Sequence, residues 1–183
     1  MSIQISSLTP GVLVETSAAR VSIQPAPGRL SLRARQATLP ALGGALGVAL
    51  PERIGQRSAA AGIEAICLGP DEWTIVTPAD GVAGLLAAGA GVDQPHSLVD
   101  ISGREVTLRI DGPRASELLT LGCPRDIASI AVGEGRRTLF DGATVVLWRD
   151  GENSFRMDVW NSFAPHLVQL LEIGARELAA EPA

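Results

Sequence analysis

Glu105-Val106-Thr107-Leu108-Arg109-Ile110-Asp111-Gly112-Pro113-Arg114-Ala115 carries a strand, its stop and the start of a helix in one run. Val106, Leu108 and Ile110 alternate with polar residues, the period of two that marks a half-buried strand. Asp111-Gly112-Pro113 then ends the alternation and opens a helix with Ala115, Leu118 and Leu119 on one face. Asp can accept from free amides of a first helical turn, and Pro tolerates early helical positions. Gly122 stands where a left-handed stop is expected.

The same unit recurs on both sides. Upstream, Ala65 to Leu68 and Glu72 to Val76 flank Gly69-Pro70-Asp71, and Asp80-Gly81 opens a helix carrying Val82, Leu85 and Leu86. Leu98 to Ile101 leads through Ser102-Gly103-Arg104 into the quoted strand. Downstream, Arg137 to Phe140 and Ala143 to Trp148 surround Asp141-Gly142, a dipeptide suited to a type I′ hairpin. Phe155, Met157 and Val159 alternate in a further strand. Ser162 is placed to cap a last helix, where Phe163, Leu167, Leu170, Leu171 and Gly174 form one apolar stripe.

Towards the N-terminus the pattern thins. Leu30 to Arg35 alternates as a strand, and Thr38 is placed to cap a glycine-rich helix with Leu39, Leu42 and Leu46 on one face. Gly43, Gly44 and Gly47 would each cost that helix about 1 kcal/mol relative to Ala. Gln24-Pro25-Ala26-Pro27-Gly28 reads as a turn between two short strands. The first 20 residues have no period. The expected organisation is therefore a poorly structured segment 1–20 and a single domain 21–183, with room for a small lobe before about residue 65. The expected class is α+β, antiparallel sheets with helices on one face and ferredoxin-like elements.

Composition narrows the function. Fifteen basic against twenty acidic residues give a net charge of −5, which disfavours a nucleic-acid partner, as do three Phe, three Trp and no Tyr. No apolar run approaches the roughly 18 residues of a membrane span, and Met1 to Ser6 lacks the pattern of a secretory signal. Cys67 and Cys123 lie far apart with no Cys-x-x-Cys spacing, which fits a reducing, cytoplasmic location.

Catalytic candidates are few. His96 and His166 are the two histidines, each read as a surface or capping residue rather than a base. No His-x-x-x-His, His-Glu-x-x-His, phosphate loop or Gly-x-Gly-x-x-Gly run occurs, so metal and nucleotide sites are not expected. Cys123, near a helix C-terminus, reads as a packed thiol, because activated thiols use a helix N-terminus or a cationic neighbour. Asp100 is a charge inside the apolar run Leu98-Val99-Asp100-Ile101. It reads first as a turn former with Ser102 and second as a polar-ligand contact. Trp73, Trp148, Trp160 and Phe163 are candidates for core or for subunit contact.

Leu68-Gly69-Pro70-Asp71-Glu72-Trp73, Ser97-Leu98-Val99-Asp100-Ile101-Ser102, Gly112-Pro113-Arg114-Ala115, Gly122-Cys123-Pro124-Arg125-Asp126 and Ser162-Phe163-Ala164 resemble, in order and spacing, the sarcosine oxidase gamma subunit family. One departure is Ile127-Ala128-Ser129, where that family often continues Leu-His-Pro. The family is similar to the folate-binding domains of aminomethyltransferases. The resemblance implies a noncatalytic gamma subunit partnered by alpha, beta and delta subunits, in a complex that demethylates sarcosine to glycine with tetrahydrofolate as one-carbon acceptor. It implies no cofactor in this chain, with FAD, FMN, NAD and zinc on the other subunits. It makes Asp100 the one folate candidate. The alternative it leaves is a free-standing folate-binding one-carbon transfer protein.

Overall fold

The computed structural model describes residues 8–181. They form eleven strands and four α-helices, divided into two compact units. Unit 1 combines the N-terminal residues to Pro25 with Gly103 onward, and unit 2 is the inserted stretch Ala26–Ser102.

Unit 1 holds a six-stranded antiparallel sheet in the order β1 (Gly11–Glu15), β2 (Arg20–Ile23), β8 (Glu105–Asp111), β11 (Ser154–Trp160), β10 (Ala143–Gly151), β9 (Gly135–Phe140). Val106, Leu108 and Ile110 pair with Val159, Met157 and Phe155, so the two alternating patterns share one buried face. Helices α3 (Ala115–Thr120) and α4 (Ala164–Ala180) supply the rest of that core through Leu118, Leu119, Leu167 and Leu171. Gly174 lets α3 come close: a Cβ there would lie 2.6 Å from Leu121 Cδ1 and 2.8 Å from Leu118 Cδ1.

Unit 2 holds a five-stranded antiparallel sheet in the order β4 (Arg57–Ala60), β5 (Ile63–Gly69), β6 (Glu72–Thr77), β3 (Gly28–Ala34), β7 (His96–Asp100). Helices α1 (Leu39–Leu46) and α2 (Val82–Ala90) are part of this unit. Its core gathers Leu30, Leu32, Leu42, Leu46, Ile75, Leu85 and Trp73. α1 forms despite its glycines because Leu39, Leu42 and Leu46 all bury, and Gly47 ends it in the left-handed conformation (φ 71°).

Several expectations need correction. Residues 1–7 of the segment expected to be poorly structured lie outside the described residues, as does the Met1 to Ser6 stretch. Within the rest, Gly11–Glu15 is a strand, held by pairing with β2. A short strand buried through a distant partner has no local period to reveal it. The single domain 21–183 is replaced by two units, because β2 pairs with β8 across the inserted unit. Thr38 and Ser162 do not cap: neither α1 nor α4 has a side-chain cap, and the N-cap of α4 is Phe163. The Asp111 carboxylate bonds Arg109 and Ser154 rather than helix amides. Gly122 is absent from the glycines with positive φ and is required for its size, since a Cβ would sit 2.9 Å from the Phe140 ring.

Candidate functional site

Asp100 ends β7, opposite Leu30 of β3. Its Oδ1 accepts from Ser102 N at 2.9 Å and Ser102 Oγ at 2.6 Å. Ser102 Oγ in turn accepts from Arg29 N at 2.9 Å, and Ile101 N donates to Arg29 O at 2.8 Å. The carboxylate is therefore committed to an Asx-type turn that pins the end of β7 to β3. The Asp100 side of this edge is exposed, so a polar ligand could reach it.

The tryptophans divide by burial. Trp73 is 1% exposed in the unit 2 core and donates Nε1–H to Pro51 O at 2.7 Å. Trp148 is also 1% exposed, with Nε1–H donating to Asp158 Oδ2 at 2.7 Å and the Arg156 guanidinium 4.7 Å over its ring. Each indole already has its hydrogen bond and presents almost no surface, so of the two readings, core or subunit contact, Trp73 and Trp148 take internal packing. Trp160 and Phe163 are different, at 46% and 44% exposed.

Trp160 and Phe163 sit on the connection from β11 to α4, closed by Phe163 N donating to Trp160 O at 2.9 Å. Asn161 N donates to Arg104 O at 3.0 Å and its Nδ2 to Gly103 O, tying the connection to the residues before β8. Arg104 lies 5.7 Å over the Trp160 ring while pairing with Glu105 at 2.9 Å. Two half-exposed aromatics beside an arginine, on a connection braced by backbone bonds, have the composition of an interface centre. An open aromatic pair of this kind gains by being covered.

Sequence reasoning missed Asp158. It is 4% exposed and accepts from Thr107 Oγ1 at 2.6 Å as well as from Trp148. The available signal was a carboxylate between Met157 and Val159, in register with Thr107 on the strand beside it. Nearby on that face, Arg156 pairs Asp150 through Nε and Nη2 at 2.7 and 3.0 Å, and Arg109 reaches Asp111 and Ser154. The Arg156–Asp150 pair ties β11 to β10 by fork and carboxylate, while Arg109 bonds Asp111 on its own strand and the Ser154 hydroxyl across to β11.

The remaining candidates stay apart. His96 Nδ1 lies 2.8 Å from Gln94 O, while His166 Nε2 lies 2.6 Å from Asp141 Oδ2. Cys123 is buried with Sγ 3.7 Å from Thr138 Oγ1. Burial pushes the Cys67 thiol up. Among the described residues no group of three His, Cys, Asp or Glu side chains is placed to hold a metal, and no helix is long and apolar enough to cross a membrane.

The sequence profile of the sarcosine oxidase gamma subunit family matches residues 33–177. The chain belongs to the sarcosine oxidase gamma subunit family. A gamma subunit from Arthrobacter sp. is 35% identical over 144 residues, covering 76% of this chain and 70% of the relative. Another, from Corynebacterium sp. strain P-1, is 34% identical over 146 residues, covering 78% and 71%. Among solved structures, a chain of heterotetrameric sarcosine oxidase from Corynebacterium sp. U-96, in complex with pyrrole 2-carboxylate, superposes with a TM-score of 0.83. That match has 28% identity and covers 93% of this chain and 90% of the other. A glycine cleavage system aminomethyltransferase from Bartonella henselae gives a TM-score of 0.63 at 18% identity, covering 85% of this chain and 46% of the other, a likeness of fold. The α+β class with antiparallel sheets, and the aminomethyltransferase-like fold of this gamma subunit family member, agree with the sequence expectation.

Proposed function

We propose that this chain is the noncatalytic gamma subunit of a heterotetrameric sarcosine oxidase and that it docks through Trp160 and Phe163. The observation that carries the reading is the match over 93% of this chain to a chain of that assembly. In this reading the alpha, beta and delta subunits carry FAD, FMN, NAD and zinc, and the whole demethylates sarcosine to glycine with tetrahydrofolate as acceptor, in the cytoplasm. This chain positions and stabilises the others. The test is add-back. An assembly made without this chain regains stability and sarcosine turnover when the chain is supplied, and the chain alone turns over no sarcosine. Turnover of sarcosine by the isolated chain overturns the proposal.

A free-standing folate-binding protein is the second reading, motivated by exposed Asp100. Its clean test is Asp100→Asn, which keeps the Oδ1 acceptor for Ser102 and removes the charge. Under the subunit reading, tetrahydrofolate titration followed by Trp fluorescence gives no saturable change in either protein. Saturable micromolar binding abolished by the substitution would favour the second reading.

A further inference from the structure

The sequence contains no lysine: all fifteen basic residues are arginine. The reason is only partly structural. Arg156, Arg114, Arg104 and Arg57 each use two nitrogens of the guanidinium fork on a carboxylate, a geometry lysine cannot reproduce. Arg35, Arg125 and Arg176 are different, being exposed with no fork partner among the described residues. At those three positions lysine would serve the fold equally well.

Thiols are withheld as well. Cys67 is 0% and Cys123 7% exposed, and the one described methionine, Met157, is 0% exposed. The described surface thus offers neither a primary amine nor sulfur. Amines and thiols are the side chains that capture an aldehyde fastest. An amine lone pair attacks the carbonyl carbon, the C–N bond forms as the carbonyl π pair moves to oxygen, and a proton passes from nitrogen to oxygen. Loss of water from that carbinolamine gives an imine. The step needs the neutral base, and a lysine amine of pKa about 10.4 supplies it at neutral pH roughly a hundredfold or more better than the far more basic guanidinium.

We infer that this surface is built to be inert to a one-carbon aldehyde released beside it. The inference rests on the sarcosine oxidase reading, which supplies the electrophile. Two-electron oxidation of an N-methyl amine moves a hydride equivalent from the methyl carbon to the oxidase's electron acceptor and leaves an iminium. Water adds to the iminium carbon, the C–N bond breaks, and the primary amine, methanal and a proton result. A subunit lying against that release point with ordinary lysines would collect adducts and cross-links whenever no one-carbon acceptor takes the aldehyde. Arginine preserves charge and ion pairing without that cost.

The test compares the full chain with its Arg35→Lys/Arg125→Lys/Arg176→Lys variant, which leaves every fork pair described above in place. Treated with dilute methanal, the parent chain is expected to take few one-carbon adducts by intact mass, and the variant up to three more at the substituted positions. A parent chain carrying as many adducts as the variant overturns the inference. In the second arm, assemblies containing either chain turn over sarcosine without a one-carbon acceptor. The variant assembly should accumulate adducts at the substituted positions and lose activity faster than the parent, whereas resting controls stay unmodified. Equal adducts and equal decay in two assemblies that both turn over would sink the inference while leaving the subunit reading intact. Failure of either chain to enter the assembly counts against the subunit reading itself, and the first arm still decides the chemistry of the surface.

Discussion

Trp160→Ala is the perturbation that most sharply separates docking from folding. A buried Trp or Phe withdraws about 150–250 Å² from water. With Trp160 46% and Phe163 44% exposed, about 70–110 Å² of each remains to be covered by a partner. At about 25 cal/mol per Å² that surface is worth roughly 2–3 kcal/mol per ring at the centre of an interface. Removal of the Trp160 ring should therefore weaken association with the other subunits by roughly 30-fold or more, using about 1.4 kcal/mol per tenfold. The fold loses the share of the ring already covered within the chain, about 80–135 Å² or roughly 2–3 kcal/mol by the same measure, together with the contact to Arg104, so docking and folding are read separately. The assay pairs two measurements on the same variant: affinity for the remaining subunits, and urea midpoint of the free chain. Affinity, measured on chain that remains folded, should fall steeply, while the midpoint falls by no more than the covered share of the ring allows. Unchanged affinity refutes the docking argument, and a collapse of the midpoint shows that the ring is core after all.

Asp158→Ala strands the buried donors Trp148 Nε1–H and Thr107 Oγ1–H, at about 1–3 kcal/mol each, so a loss of roughly 3 kcal/mol is expected. Asp158→Asn should cost about 1 kcal/mol, because the amide oxygen serves the indole and the Thr107 hydroxyl can turn to accept. Equal urea midpoints for these two variants would contradict the network. Gly174→Ala pushes a methyl into Leu118 and Leu121 and should destabilise by about 1–3 kcal/mol, read by thermal melting. The Arg114 guanidinium, hydrogen-bonded to Glu117, holds that carboxyl below its usual range. A depressed folded pKa gives stability that is present above the unfolded pKa and is lost as pH falls through the folded value. The melting difference between the parent chain and Glu117→Gln should therefore be visible near neutral pH and vanish in strong acid. A difference that persists or grows on acidification would be inconsistent with this assignment.

What could be read from the sequence was local. Asp141-Gly142 announced the β9–β10 hairpin, and both residues take the positive φ that such a turn requires, 45° and 80°. The alternations at 106/108/110 and 155/157/159 correctly located one buried face, because a period of two is written into the chain wherever only one side of a strand is covered. Long-range pairing was not legible. Nothing in Gly11–Glu15 or Arg20–Ile23 says that they belong to the sheet of β8, so the insertion of unit 2 between distant parts of unit 1 could not be anticipated.

The candidate residues followed the same division. Asp100 as a turn former was readable from Ser102 two positions on. The four aromatics could not be sorted by type alone. Trp73 and Trp160 differ in exposure because of what lies across the sheet from them, which is a tertiary property. Capping by Thr38 and Ser162 failed for a related reason: a preceding turn, a 3₁₀ turn over Gln36–Thr38 in the first case, already sets the backbone at Thr38 and Phe163 in the helical region, leaving no extended cap residue to turn its hydroxyl onto the first amides.

The most direct trial is native mass measurement of the tagged chain purified under mild conditions from cells that make it. Elution with three further polypeptides in equal amounts, accompanied by flavin absorbance, is the predicted result. Elution of a colourless chain by itself, at every concentration tried, would contradict it.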